Sequence, residues 1–317
     1  MKRIIYYVWA ILVLFSVALG IVGWVMQKNC NPAGDTVSII SDVIFFAAII
    51  TLYPFWYVII NSLSDPLRVI RRDVVWWPID FSLQSYETLL SQKDVFLAYY
   101  NTIWYTVVGT IVNITLTVMA AYALSVRTFC LRRQISMFVA ITMFVSGGII
   151  PSYIVVNKLG LYDSRWALII PTAISAYNLI VARSFFESLP EELTESAHLD
   201  GANDFVILWK IIVPISKPII SVLIIFYAVG HWNEYFYPLI YLKSRELKPI
   251  QLYLRDILVA NQQASTSTGG STGVERQYLF EALKFSTIVI TTLPITIIYP
   301  FFQKHFVQGI MIGAVKS

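Results

Sequence analysis

The sequence predicts an all-α, polytopic membrane protein: six apolar crossings preceded by one further apolar segment. Three observations carry that prediction. Hydrophobic residues make up 57% of the 317 and charged residues only 13%, against about 25% charged in an ordinary soluble domain. The mean hydropathy is +0.67. Six stretches approach the roughly 20 apolar residues that a bilayer crossing needs, and Tyr and Trp gather at several of their ends, where amphipathic rings favour the headgroup level.

In chain order, the first apolar segment is Ile4 to Met26, followed by the short turn QKNCNPAGD. Residues 1–40 are set apart as an extra hydrophobic segment with its linker, and 41–317 as the main transmembrane domain. The six crossings are Val43 to Ile60, Thr102 to Val126, Ile135 to Val156, Trp166 to Ala182, Ile215 to Leu242 and Leu283 to Phe302. Pro54, Gly147, Gly148, Pro151, Pro171, Pro294 and Pro300 lie in them. Such residues are tolerated in lipid when neighbouring helices or water satisfy the freed backbone, so bent helices around a cavity are expected, with plain packing kinks as the alternative. Two long loops, Asn61 to Tyr100 and Lys243 to Glu281, separate crossings, and the second carries the polar tract NQQASTSTGGSTG, expected to be flexible.

The short loop RTFCLRR between Val126 and Gln134 is dense in arginine, which places it on the cytoplasmic side. A raw sum of Lys and Arg over all loops favours the opposite side, mostly through the two long loops, which count for less. With seven crossings the Met1-Lys2-Arg3 terminus would then lie outside, against the rule. An extra helix with an outward terminus is the preferred reading; a processed or interfacial leader and a misassigned start are the others.

Composition excludes several classes of function. The net charge of +4 is spread over the chain, with no basic stripe for nucleic acid; a slightly basic balance suits loops that touch anionic lipid. Cys30 and Cys130 match no metal or redox spacing, and QKN before Cys30 is too polar and bulky for a lipid-attachment site. No G-x-x-x-x-G-K-[ST] stretch is present to cradle ATP, nor a G-x-S-x-G nucleophile elbow. His198, His231 and His305 form no metal-ligand spacing. No catalytic residue, metal or cofactor is therefore expected in this chain.

An ion-driven carrier keeps acids and bases in mid-membrane. The six crossings are almost free of them apart from Glu234, which argues for an external energy source. Glu234 either lines a substrate path or bonds locally at the mouth of its span. Tyr153, Trp232, Asn233, Glu234 and Tyr235 are of the types that stack on sugar faces and bond hydroxyls, though most aromatics in a membrane protein serve belts and packing. Asn113, Thr117, Ser146 and Asn178 are neutral polar positions that could equally be helix–helix glue.

The stretch 187–214 is the most acidic passage between two spans. Ser188 and Glu191 form an S-x-x-E capping box, so a helix is expected from about Leu189, with Pro190 in its first turn. Leu189, Leu193 and Ala197 share one face; Glu191, Glu195 and His198 point the other way. Gly201 breaks the helix. Asn203 or Asp204 caps a second helix, Phe205 to Ile212, apolar all round except Lys210, which Pro214 ends as it opens the next span. The element is either a solvated helical loop or a docking knob that passes force from a soluble partner to the membrane.

At these residues the chain resembles the membrane subunits of binding-protein-dependent ABC importers. Their hallmark is E-A-A, three residues, Gly, nine residues, then I-x-L-P. Here it reads Glu195-Ser196-Ala197, Gly201 and Ile211-Ile212-Val213-Pro214, with both gaps matching and with Ser196 and Val213 as small departures. Asp200-Gly201-Ala202 resembles the carbohydrate-uptake branch, as do YPFWYVIINSLSDP, GGIIPSYIVVNKLGLYDSRWALIIP, HWNEYFYPLIYL and the tail FFQKHFVQGIMIGAVKS, which resemble the smaller permease of maltose-type systems and the polysaccharide and oligosaccharide subgroup. The resemblance covers about Ser41 to Ser317.

The resemblance implies a six-helix ABC importer permease core in a bacterial cytoplasmic membrane. It implies that 187–214 is a coupling loop docked on a cytoplasmic ATPase. Glu195 would contact a basic residue of the ATPase, Ala197 would keep the helix thin, Gly201 would be the hinge within Asp200-Gly201, and Pro214 would fix the exit into the span. The implied partners are a second permease, two ATPase subunits that bind ATP and Mg, an extracytoplasmic binding protein and an oligosaccharide. The coupling loop and C-terminus would be cytoplasmic and the two long loops outside. A peptide or an acidic or modified glycan as cargo, a membrane scaffold or sensor without transport, and an ion-coupled carrier are the alternatives.

Overall fold

The structure, a computed structural model, describes residues 35–266 and 283–297. The expected N-terminal apolar segment Ile4 to Met26 therefore lies outside the described residues, as does the C-terminal tail. The described chain is helical, and its one extended pairing is an isolated bridge between Ser64 and Phe81. It divides into two compact units, one of residues 35–93 with 254–266 and 283–297, the other of residues 94–253.

In the first unit, helix α1 (Asp35–Ser62) runs through Pro54 without ending. The expected long loop folds back on it. Short helices α2 (Pro66–Ile70) and α3 (Gln84–Leu90) lie in this loop. Asp65 caps α2 through Leu67 N–H at 2.9 Å. Arg68 ties the turn together through Asp80 at 2.8 Å and Asp73 at 3.6 Å. The carbonyls of Val75 and Trp76 accept hydrogen bonds from Tyr53 Oη and Trp56 Nε1, at 3.2 and 2.7 Å. Val74 is fully buried with Ile60, Val69 and Phe285, the last of these on helix α13 (Leu283–Ile297).

In the second unit, α4 (Lys93–Ser125) is the one described helix long and apolar enough to cross a membrane uninterrupted. Three expected crossings are broken. The stretch from Ile135 to Val156 divides into α5 (Arg132–Thr142) and α6 (Ile149–Lys158), because Gly148 takes φ 77°, a left-handed conformation that glycine adopts without a Cβ clash. From Trp166 to Ala182 the chain makes a 3-10 turn (Arg165–Leu168) and an irregular segment around Pro171 before α7 (Ala176–Phe186) begins. The last divides into α10 (Lys217–Asn233) and α11 (Phe236–Tyr241). Between α7 and α10 lie α8 (Glu192–Leu199) and α9 (Asp204–Ile215), and α9 meets α10 at 87°.

The expected loop from Lys243 to Glu281 also needs correction: a 3-10 turn (Arg245–Leu247) leads into α12 (Ile250–Thr266). Ile250, Leu254 and Ile257 are buried at helical spacing, so the segment is an amphipathic helix whose polar half reads as loop. The rest of the tract lies outside the described residues.

Candidate functional site

The element at 187–214 is a helix–turn–helix built on a buried alanine. Ala197 packs in an apolar cluster with Val118, Tyr122, Phe186, Ile207 and Ile212, and Leu189 lies against the same cluster. The turn is closed at both ends by the backbone. Gly201 has φ 80°, and its N–H bonds His198 O at 3.0 Å while Ala202 N–H bonds Ala197 O at 3.0 Å. This is the paired arrangement that ends a helix on a left-handed residue. Asn203 Oδ1 then accepts from Val206 N–H at 2.9 Å and starts α9, a cap worth about 1 kcal/mol. His198 Nε2 lies 3.5 Å from Asp204 Oδ1 across the turn.

The predicted faces are found, with two corrections. The capping box does not form. Ser188 Oγ bonds Phe185 O at 2.7 Å, the Glu191 carboxylate reaches Arg127 Nε at 2.7 Å instead, and the helix begins at Glu192. Pro214 does not end the second arm either. Proline removes the donor that Lys210 O would use. The chain widens into a π turn over Leu208–Ile212, and α9 continues to Ile215 before bending at Ser216. The apolar second arm is half buried: Ile207, Leu208 and Ile212 are inside, while Phe205, Val206 and Trp209 are exposed. The tip residue Leu199 is 90% exposed.

Glu191, Thr194, Glu195 and His198 line one wall of a cavity of about 410 Å³ whose other wall includes Tyr122, Arg127 and Arg132. Glu195 and Ser196 are exposed. At the root of the element Glu187 Oε1 accepts from Arg183 Nε at 2.8 Å and also from Arg132. Burial works to raise the Glu187 carboxyl, but these two guanidiniums overcome it and hold it below the ordinary carboxylate value. The loop 127–133, a topology marker on composition alone, is thus tied to the acidic element. The available signal was an arginine-rich loop and an acidic loop, but Arg132 and Glu187 are 55 positions apart, so their pairing is not local in sequence.

The five residues proposed from composition as sugar contacts have different partners. Tyr153 lies with Tyr162 and Tyr241, stacked on the latter at 6.4 Å and 20°. Trp232 is buried beside Tyr99 at 6.3 Å. Asn233 Nδ2 bonds Val229 O in its own helix at 3.0 Å. Glu234 bonds locally: its Oε1 accepts from Phe236 and Tyr237 N–H at 2.9 and 3.2 Å, at the start of α11, where Tyr235 is the first flanking residue. Nearby, Asp163 accepts from Ser244 Oγ at 2.6 Å and from Lys243 and Ser244 N–H. The Ser244 bonds hold its carboxyl below the ordinary range.

Neutral groups satisfy the irregular segment near Pro171. Asn113 Nδ2 donates to Thr172 O at 2.7 Å, and Asn113 Oδ1 lies 3.0 Å from His231 Nε2. Tyr227 Oη accepts from Ser175 N–H at 3.2 Å and pairs with Thr117 Oγ1 at 2.7 Å. The His231 ring occupies the space that a side chain at position 109 would need: a Cβ on Gly109 would meet it at 2.5 Å. Asn113 and Thr117 are therefore the helix–helix glue that their positions allowed. Asn178 is buried near Ser175, and Ser146 is exposed.

Residues 113–312 match the family described as binding-protein-dependent transport system inner membrane component. Protein LplC of Bacillus subtilis (strain 168) is similar at 38% identity over 289 residues, covering 90% of this chain and 97% of that protein. The polygalacturonan/rhamnogalacturonan transport system permease protein YtcP of the same organism is 39% identical over 272 residues, 85% of this chain and 94% of that one. Among solved structures, a chain of a bacterial ABC transporter involved in the import of the acidic polysaccharide alginate superposes with TM-score 0.79 at 32% identity, over 87% of this chain and all of that one.

Proposed function

The chain belongs to the family of binding-protein-dependent transport system inner membrane components, and on that premise we propose that it forms, with a second permease, the pathway for an oligosaccharide delivered by an extracytoplasmic binding protein. It is an all-α ABC importer permease. The observation that carries the mechanism is the build of 187–214. A thin helix is seated on buried Ala197, locked by Gly201, and presents an exposed tip at Leu199 and an exposed acid at Glu195.

In this reading the tip enters a cleft on a cytoplasmic ATPase and Glu195 meets a basic side chain there. Ser196 is small enough to leave that entry open. Asp200 and Gly201 set the angle between the arms, and Pro214 lies in the arm that runs to the bend at Ser216. ATP and Mg belong to the ATPase subunits, whose closure would move the two docked elements together. A change of state requires a differential interaction with the two states; nucleotide held between the ATPases supplies it. The coupling element, the loop 127–133 and the C-terminus would be cytoplasmic, and the residues following α1 and α11 would face the binding protein. Helix α5 buries no residue and α6 only Val156, a surface the second permease can cover.

An acidic oligosaccharide is the second reading. It is favoured by the similarity to a chain of the importer for the acidic polysaccharide alginate. Thermal stabilisation of the associated binding protein across neutral and uronate oligosaccharides distinguishes the two. For the mechanism, Glu195→Lys in the reconstituted complex is expected to insert normally and to lose ATPase binding or stimulation; stimulation at the wild-type level would contradict the docking role.

A further inference from the structure

We propose that the arginine turn at 127–133 is the second half of the coupling joint, and that Arg127 and Arg132 are positioning residues which fix the angle of α8 against α4 and α5. This rests on the docking role of 187–214. One side of α8 is seated by packing, through Ala197 against Phe186, Ile207 and Ile212. The other side faces the open cavity of about 410 Å³. A helix packed on one side only can tilt into the empty space on the other, and a push on its tip would then be spent in closing the cleft.

Two ion pairs span that cleft. Arg127 Nε reaches Glu191 Oε1 at 2.7 Å, at the first turn of α8. Arg132, at the start of α5, reaches Glu187, which Arg183 of α7 also holds at 2.8 Å. Glu187 thus joins α5, α7 and the root of the element at one carboxylate. The Glu187, Arg132 and Arg183 side chains are 31%, 26% and 23% exposed, so this hub is less screened than a surface pair, whereas Arg127 and Glu191 are well exposed and contribute little to stability. Their effect is on geometry: with both pairs made, the root of α8 is tied to α5 and to the turn that follows α4.

The test uses the full complex in liposomes: this chain, the second permease, the ATPases and the loaded binding protein, read as sugar moved per ATP hydrolysed. Arg132→Gln, Arg127→Glu and Glu191→Arg are each expected to lower that ratio about fivefold or more, the lower end of ordinary coupling between sites, while the ATPase still co-purifies. The double variant Arg127→Glu/Glu191→Arg, which restores opposite charges across the cleft, is expected to recover it. Wild-type ratios in the single variants, or a double variant no better than its parents, would overturn the proposal. Loss of the ATPase from the single variants would overturn it too, because the turn would then be a docking contact. Failure of the parent reading is distinct: there the Glu195→Lys complex would keep wild-type stimulation.

Discussion

At the root of the 187–214 element, Glu187 is shared by Arg132 and Arg183, and Glu191 is taken by Arg127. Along the segment 169–175 the same chain is held by Asn113, Thr117, Tyr227 and His231, with no carboxylate among these contacts. Both sites tie an irregular stretch to neighbouring helices. They differ in the solvent available. Beside water an ion pair keeps its charges partly hydrated, so it can set a geometry while adding little to global stability. Within the hydrocarbon region irregular backbone is tolerated only where protein or a water-filled cavity satisfies it, and a lone charge there is expensive. The first site is thus suited to transmitting motion, and the second to holding a fixed break in a span.

The comparison can be broken at its rigid end. Gly109→Ala places a Cβ 2.5 Å from the His231 ring, so the ring must leave, and Asn113 loses a partner. Overpacking of this kind costs about 1–3 kcal/mol, and a clear fall in the thermal midpoint of the purified complex is expected. An unchanged midpoint would show that the pin is soft. The joint at Glu187 is expected to show the reverse pattern, with a small change in stability and a large one in coupling.

The smallest effect is on pH dependence. The folded Glu187 carboxyl lies below its ordinary value of 4.5. A group with a depressed folded pKa stabilises above the unfolded pKa and loses that contribution as pH falls through the folded one. The stability difference between wild type and Glu187→Gln should therefore be flat from neutral pH down to the ordinary carboxylate range and shrink only below it. Unfolding midpoints of both proteins across that range measure this; a difference that disappears already near neutral pH would remove the pairing.

Local pattern was enough for much of the fold and for the shape of the 187–214 element. Gly201 announces a left-handed stop, Ala197 the close-packed face and Asn203 the second cap, and each acts within a few residues of itself. The oily runs give α1 and α4. What could not be read depends on distant partners. Ser188 and Glu191 have capping-box spacing, yet Arg127 takes the carboxylate. Asn113 and His231 meet across 118 positions, and nothing in the neighbourhood of either names the other. Glycine pairs and prolines mark where a span can break, but the breaks at Gly148 and near Pro171 are settled by what satisfies the freed backbone. Helix α12 is amphipathic rather than uniformly apolar, so a search for oily runs passes over it. Composition offered Glu234 as a sugar contact or a local bond at the mouth of its span, and only the fold shows that its carboxylate accepts from Phe236 and Tyr237 N–H.

Force from nucleotide is proposed to enter this chain at the tip of α8, and Leu199 is the most direct place to ask. A photo-crosslinking residue in place of Leu199, in the assembled complex, should form its adduct with the ATPase subunit, and the yield should change when ATP is added. If irradiation gives adducts with no subunit, with and without nucleotide, the tip stands free in solvent and the account is wrong.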